Sequence, residues 1–339
     1  RKNMKFLRVG IKGTEKPALL DKNGKIRDIS SHIKDLTPDN LNFENISKLK
    51  NIDLEKLPEL PNSNRVGSCI VKPGKFVAIG LNYSDHAAET GAKVPSEPIV
   101  FMKATSCING PNDDIELAPN SKKLDWEVEL GIVIGKETKN ISEKEAANHI
   151  LGYCLVNDVS EREWQIEKLG QWIKGKSHDT FGPIGPYLVT TDEIADVNNL
   201  NLSLDVNGKR MQTGNTNKMI FNVYHIVSYL SKFMSLQSGD LITTGTPPGV
   251  GMGMKPQVFL KSGDNIKLAI DCLGEQNSKI LSKVKFLLKE QGMTINGVKK
   301  LLNDNKSLKL DEISNQSIKA KNLRNKLLKI SNIIKGLKK

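Results

Sequence analysis

The stretch Asp125-Trp-Glu-Val-Glu-Leu-Gly-Ile-Val-Ile134 decides the fold and locates the chemistry. In a β-strand alternate residues share a face. Trp126, Val128, Leu130, Ile132 and Ile134 therefore make one unbroken apolar face, while Glu127 and Glu129 point together to the other. That other side continues as Gly131 and Val133, so it is not an ordinary solvated surface. Two carboxylates side by side in a partly buried space repel each other unless a cation or a proton intervenes. An edge strand with a wetted acidic face is the plain alternative, and the segment alone leaves it open.

Outward from this strand, short apolar runs alternate with Gly and Pro from Lys72 to Ile280. The pattern predicts strands at Phe76–Leu81, Ile99–Lys103, Leu151–Val156, Tyr187–Thr190 and Leu202–Val206, then at Leu241–Thr243, Val258–Leu260 and Ile266–Ile270. Helices are few: a capping box at Ser142-Glu-Lys-Glu145 and helical apolar spacing over Phe221–Met234. Many strands and few helices predict a β-rich α+β fold and not a regular βαβ repeat. Residues 4–71 form a small N-terminal domain, with strands at Phe6–Ile11 and Pro17–Leu20 and a hairpin turn at Asp21-Lys-Asn-Gly24. Leu57-Pro-Glu-Leu-Pro61 cannot be a continuous helix or a central strand. Residues 72–280 form the main domain.

The net charge of +12 suggests nucleic acid until its distribution is counted. Residues 281–339 hold 15 Lys and Arg against 4 Asp and Glu, leaving 35 against 34 for the rest of the chain. Basicity thus belongs to a Lys-rich tail, with helices at Val284–Glu290 and Ile295–Leu302, an N-cap at Thr294, and helical spacing over Asn315–Lys335. The four cysteines are scattered, which argues against a disulfide framework or a zinc knuckle. No apolar run approaches the roughly 18 residues that span a bilayer, and the opening lacks the apolar core of a secretory signal. The expectation is a cytoplasmic enzyme with no membrane partner.

Further segments carry chemistry. Leu151–Val156 delivers Asn157-Asp158 at its end, where a third carboxylate would complete an all-oxygen site suited to Mg²⁺, Mn²⁺ or Ca²⁺. In Gly80-Leu-Asn-Tyr-Ser-Asp-His-Ala-Ala-Glu89, Ser84 or Asp85 caps a short helix on which His86 and Glu89 share a face. A carboxylate beside an imidazole suits water activation. Gln171-Trp-Ile-Lys-Gly-Lys176 places Lys174 and Lys176 on one side if extended. Thr243-Thr-Gly-Thr-Pro-Pro-Gly-Val-Gly-Met-Gly253 offers N–H and hydroxyl groups to an anion but lacks the Gly-Lys-Ser/Thr ending of a phosphate loop.

Taken in order, GLNYSDHAAE, EPIVFMKATS, DWEVELGIVIG, GYCLVNDVSERE, GQWIKGKSHDTFGPIGP, NTNKMIF and SGDLITTGTPPGVG resemble the fumarylacetoacetate hydrolase family over roughly residues 70–275. Within it, PSEPIVFMKATS, GPNDDI, GQWIKGKS and GTPPGVGMGMKP are most similar to the bacterial branch of 2,4-diketo-3-deoxy-sugar-acid hydrolases, often labelled ureidoglycolate lyase. The resemblance implies a mixed β-sandwich roll, a homodimer, and a metal held by Glu127, Glu129 and Asp158. It also implies that His86 and Glu89 position and deprotonate water and that Lys176 stands at the reacting carbonyl or enolate. Lys103, Arg162, Gln165 and Thr246 fall where relatives contact substrate. His178 is a departure, because relatives often carry an apolar or small residue there. The implied reaction is cleavage of a 2,4-dioxo acid to pyruvate and a smaller acid. Ureidoglycolate lysis and oxaloacetate decarboxylation or tautomerisation would use the same site. In the tail, VKFLLKEQGMTINGVKKLLND resembles the second half of the DNA-binding domain of MerR-type regulators. The helix-turn-helix that reads the groove in those proteins is missing, so no nucleic-acid partner is expected.

Overall fold

The computed structural model describes residues 4–85, 94–118, 120–282, 287–289 and 292–303. The chain divides into two compact units, Arg1–Ile280 and Leu281–Lys339.

A ten-stranded sheet runs through the first unit. Its spatial order is Glu59–Leu60, Ile26–Asp28, Lys16–Leu20, Lys5–Val9, Leu188–Thr190, Ile150–Asn157, Val128–Ile134, Leu241–Thr243, Phe76–Gly80 and Ile99–Met102. Neighbours pair antiparallel except Leu241–Thr243 beside Phe76–Gly80. The N-terminal strands thus continue the sheet that carries the Glu-x-Glu strand. The Asp21 turn closes as its sequence predicts: the Asp21 carboxylate accepts from the N–H groups of Asn23 and Lys25, and Gly24 takes φ +76°. The proline-bounded Glu59–Leu60 lies at one edge of the sheet, where a missing N–H does no harm.

A second sheet, ordered Lys209–Asn215, Asn201–Val206, Asn265–Ile270, Gly274–Ser282 and Ile115–Leu117, packs across the Val128 and Ile150 strands. Its strands alternate as one-sided strands should: Ile266, Leu268 and Ile270 are buried while Asn265 and Lys267 face out. Val128–Ile134 is buried on both faces instead. Trp126, wholly buried just before it, contributes on the order of 3 kcal/mol of hydrophobic stabilisation. Its indole N–H still finds a partner, the Gly249 carbonyl at 3.0 Å. The result is the strand-rich mixed sandwich that the sequence predicts.

Three local readings change. Val258–Leu260 is not a ladder strand; Val258 and Leu260 make single lateral bonds to Gly251 and Leu124 just after Pro256. The strands Lys209–Asn215 and Gly274–Ser282 escape the sequence pattern because each is largely polar and half exposed. Lys174 and Lys176 lie on a short helix, Ile173–Lys176, not on an extended segment, so they do not share a side.

In the second unit, Thr294 caps the helix Ile295–Asn303 by accepting from the Gly297 N–H at 3.1 Å. Leu287 and Val298 are buried against Leu288 and Met293. The expected helix over Asn315–Lys335 lies outside the described residues.

Candidate active site

The central strand and its neighbour build the site together. The strand Ile150–Asn157 runs antiparallel to Val128–Ile134 with Asn157 opposite Val128, so the next residue, Asp158, arrives beside Glu127 and Glu129. Its N–H donates to the Glu127 carbonyl at 2.9 Å, which fixes the approach. Each of the three carboxylates places an oxygen within 4.8 Å of the others', and all three residues are buried. The wetted-edge alternative therefore fails: Glu127 is 7% exposed and Glu129 1%.

Their surroundings treat the two glutamates differently. Glu127 faces Lys176 Nζ at 2.7 Å and Arg162 Nη2 at 2.7 Å. Burial alone would raise its carboxyl, but the Lys176 and Arg162 charges outweigh burial and hold it well below the usual carboxylate range. Glu129 accepts instead from neutral groups, the Thr243 hydroxyl and the Gly245 N–H at 2.9 Å. Burial first, then the charges of Asp158 and Glu127, push its carboxyl well above the ordinary range. Gly245 reaches it at φ +95°, where a Cβ would come within 2.8 Å of the Asn82 Cβ.

Lys176 Nζ also meets Asp158 Oδ2 at 2.8 Å. Burial would lower this ammonium's affinity for its proton, but Asp158 and Glu127 reverse that and raise it above the usual lysine value. Lys103 donates to Asp158 Oδ1 at 2.6 Å and to the Lys176 carbonyl, with its side chain fully buried. Lys174, by contrast, turns outward to the Lys168 carbonyl.

These details bear on a metal. The donors are carboxylate oxygens, hard ligands of the kind Mg²⁺ and Mn²⁺ prefer. They already attract a cation, since the Lys176 ammonium bridges two of them. Glu129 accepts only from neutral groups, so a divalent ion would supply the positive charge that its ionised form lacks. The residues present fit such an ion.

A cavity of about 220 Å³ opens onto this cluster, with Glu127, Glu129, Arg162, Gln165, Lys176 and Thr246 among its lining residues. That size suits a small acid, being below the several hundred Å³ typical of larger ligands. Arg162 sits at the start of a π-helical turn, Glu163–Glu167, that carries Gln165. It donates through Nη1 to Gln165 Oε1 at 2.9 Å. Its Nη2 meets Glu127 Oε1 at 2.7 Å, so the guanidinium spans Asp125, Gln165 and Glu127. The Thr246 hydroxyl donates to the Val128 carbonyl and accepts from Gln212 Nε2 at 2.8 Å. The Thr243–Gly253 loop therefore directs much of its donor capacity to the protein's own carboxylates. His178 stands behind the loop after Lys176, its ring edge-on to Trp164 and Phe181 and its Nε2 3.8 Å from Glu116. His86 and Glu89 lie outside the described residues. Asn82, just upstream, is pinned by hydrogen bonds to Phe221 and the Thr244 carbonyl.

Two supporting residues carried no distinguishing sequence signal. Asp125, fully buried, accepts from Arg162 Nε at 2.8 Å and from the N–H groups of Gly251 at 2.7 Å and Met252 at 3.0 Å. Gln212 reaches from the second sheet to the Val128 N–H at 3.0 Å, between the two glutamates. Its only sequence trace is a polar residue at an inward position of a strand that the pattern missed. Asp125→Ala would strand the buried guanidinium and free the loop. We expect a loss of about 3–5 kcal/mol in stability, read by denaturant melts, with KM raised more than kcat is lowered.

Fold and cluster together define a strand-rich enzyme scaffold with an all-oxygen carboxylate cluster at a small cavity. Residues 75–281 match the family described as fumarylacetoacetate (FAA) hydrolase C-terminal, and the chain belongs to the fumarylacetoacetate hydrolase family. A protein of Burkholderia ambifaria, named provisionally as a hydrolase, is 57% identical over 274 residues, 80% of this chain and 97% of that protein. The fumarylacetoacetate hydrolase of Exiguobacterium antarcticum superposes with a TM-score of 0.75 at 34% identity, over 83% of this chain and all of that one. Maleylpyruvate hydrolase of Sphingobium sp. SYK-6, solved with manganese(II) and pyruvate, gives 0.69 at 25% identity, over 81% and 99%. Among the described residues no helix is long and apolar enough to cross a membrane.

Proposed function

We propose that this protein is a divalent-metal-dependent hydrolase that cleaves a carbon–carbon bond in a small 2,4-dioxo acid, giving pyruvate and a smaller acid. The observation that carries the reading is the buried trio Glu127, Glu129 and Asp158, the two glutamates lining the cavity together with Lys176 and Arg162. The three carboxylates would hold Mg²⁺ or Mn²⁺, which supplies charge to polarise the oxygens of a 2-oxo acid. A manganese–pyruvate complex in a structural neighbour supports this head group.

The chain's own residues have distinct work in this scheme. Arg162, with Gln165 steadying its guanidinium, lines the cavity and offers positive charge to the substrate carboxylate. Thr246 lines the same cavity. Lys176 keeps its proton and donates to the oxygen on which negative charge develops as the bond breaks. Lys103 holds Asp158 and the Lys176 backbone in place. Activation of water by His86 and Glu89, like the homodimer, rests on the sequence resemblance. The same resemblance suggests a deoxy-sugar tail beyond the dioxo head, a point that the cavity wall addresses below.

The test is pyruvate release from a panel of 2,4-dioxo acids with Mg²⁺ or Mn²⁺, with EDTA, and with Glu127→Ala. Release that needs metal and disappears in the variant is the expected result. If the dioxo acids are inert while oxaloacetate or ureidoglycolate turns over, the reaction is decarboxylation, tautomerisation or lysis. Failure of the protein to bind either metal would sink the proposal.

A further inference from the structure

Among the described residues the cavity's polar side chains belong to its buried floor, and its outer wall is of another kind. Phe101 begins this wall beside the reacting end, its ring centroid 5.3 Å from Lys176 Nζ. Trp172 continues it, edge-on to Phe101 at 5.3 Å and 64°. The indole lies directly on the backbone of Gly80: a Cβ there would stand 2.5 Å from Trp172 Cζ3, so a glycine is what lets the ring in. Met252 and Ile166 also line the cavity, and Ile166 is 45% exposed, which marks the mouth. From the lysine outward, a ligand therefore passes two aromatic rings and then aliphatic side chains.

Resting on the 2,4-dioxo-acid reading above, we propose that the group beyond the dioxo head is apolar, an alkyl or aryl substituent seated on Trp172 and Phe101, and not a polyhydroxylated chain. A hydrocarbon tail leaves water for a surface that gains nothing from staying wet. A chain of hydroxyls would lose its hydrogen bonds to water along the same wall, which offers rings and methyl groups in return. The deoxy-sugar tail suggested by the sequence resemblance is disfavoured on this ground. Trp172 and Phe101 are thus specificity-determining residues.

Two measurements test the inference. The first compares kcat/KM for 2,4-dioxo acids bearing a phenyl, a methyl or a polyhydroxylated tail. The phenyl compound should exceed the polyhydroxylated one by about 10²-fold, the scale on which an apolar pocket discriminates against hydroxyls. Trp172→Ala should lower the phenyl compound far more than the methyl one, so that their ratio collapses. A polyhydroxylated substrate used as well as the phenyl one, or a variant that lowers all three equally, would overturn the proposal. The second is calorimetric binding, with Mg²⁺, of two 2-oxo acids that lack the 4-oxo group, 2-oxo-4-phenylbutanoate and 2-oxo-3-deoxygluconate. Preferential binding of the phenyl acid with no pyruvate from any dioxo acid sinks the cleavage reading and upholds the wall. Equal binding, tighter binding of the sugar acid, or no binding of either overturns the wall.

Discussion

Glu129→Gln should abolish Mg²⁺ and Mn²⁺ binding and yet melt higher than wild type in EDTA, while Glu127→Gln should lose metal and melt lower. The two glutamates are neighbours on one strand face, but their fields have opposite sign. Burial first, then the charges of Asp158 and Glu127, raise the Glu129 carboxyl above the ordinary glutamate value of 4.5. A group raised on folding leaves stability intact below its unfolded pKa and lowers it as pH rises through the folded one. Replacing it by a neutral amide removes that penalty, so the gap between variant and wild type in EDTA should open above about pH 4.5 and vanish below. Glu127 is lowered, chiefly because Lys176 and Arg162 overcome its burial. Its contribution is present above the same unfolded value and lost in acid. Gln there leaves two buried cations short of a partner, a loss of about 3–5 kcal/mol. Removing an orienting neighbour of a metal ligand typically weakens binding 10–100-fold, and removing a ligand itself should do at least that. Calorimetry of metal binding and melts in EDTA across pH check both halves. Wild-type Mg²⁺ affinity in either variant, or the same sign of Tm change in both, would refute the assignment.

How much of this the sequence showed follows from the range of each interaction. The strand Val128–Ile134 was legible because Trp126, Val128, Leu130, Ile132 and Ile134 alternate with Glu127, Glu129, Gly131 and Val133, a pattern with few other solutions. So was the capping box at Ser142, whose partners lie within one helical turn. That Asp158 would join Glu127 and Glu129 depends on the register of two strands, which the pattern could suggest but not set. The roles of Asp125 and Gln212 depend on side chains that cross between elements: Asp125 ties a loop 126 residues away, and Gln212 reaches strand Val128–Ile134 from 84 residues on. Neither has a local signature. Lys174 and Lys176 share a side only in an extended chain, and nothing in the local pattern decides between extension and a single helical turn. Four residues of helix rotate one outward and one in.

The site gains rigidity from this crossing of sheets. Val128 lies between the two glutamates, and its N–H and C=O are held by Gln212 and Thr246, which in turn hold each other. Carboxylates that repel would otherwise splay the strand, so the clamp preserves the spacing that a shared cation needs. Asp125 plays the same part for Arg162. The central strands and their ends supply the carboxylates, and the neighbouring side chains supply the tolerance with which they are placed.

Lys176→Met is the substitution expected to separate catalysis from metal retention. The ammonium touches Glu127 at 2.7 Å and Asp158 at 2.8 Å and is 2% exposed. Met keeps much of its volume, so the change is one of charge. Without the cation, Glu127 retains Arg162 and Asp158 retains Lys103, so the ligands stay in place. In EDTA the variant should still lose about 3–5 kcal/mol, because two buried carboxylates then repel with less compensation. A Mg²⁺ ion that binds the folded chain alone should recover more of that loss in the variant than it adds to wild type. The rate should nevertheless stay about 10²–10³-fold down with metal saturating, which is the usual cost of removing one preorganised donor to developing charge. Lys174→Met, two residues away on the opposite side of the same helix, should leave binding, melting and rate alone. If Lys176→Met turns over normally once metal is saturating, the lysine is a counter-ion for the carboxylates and not the group that meets the substrate. If both lysine variants fail alike, the helix is needed as a whole and the charge argument falls.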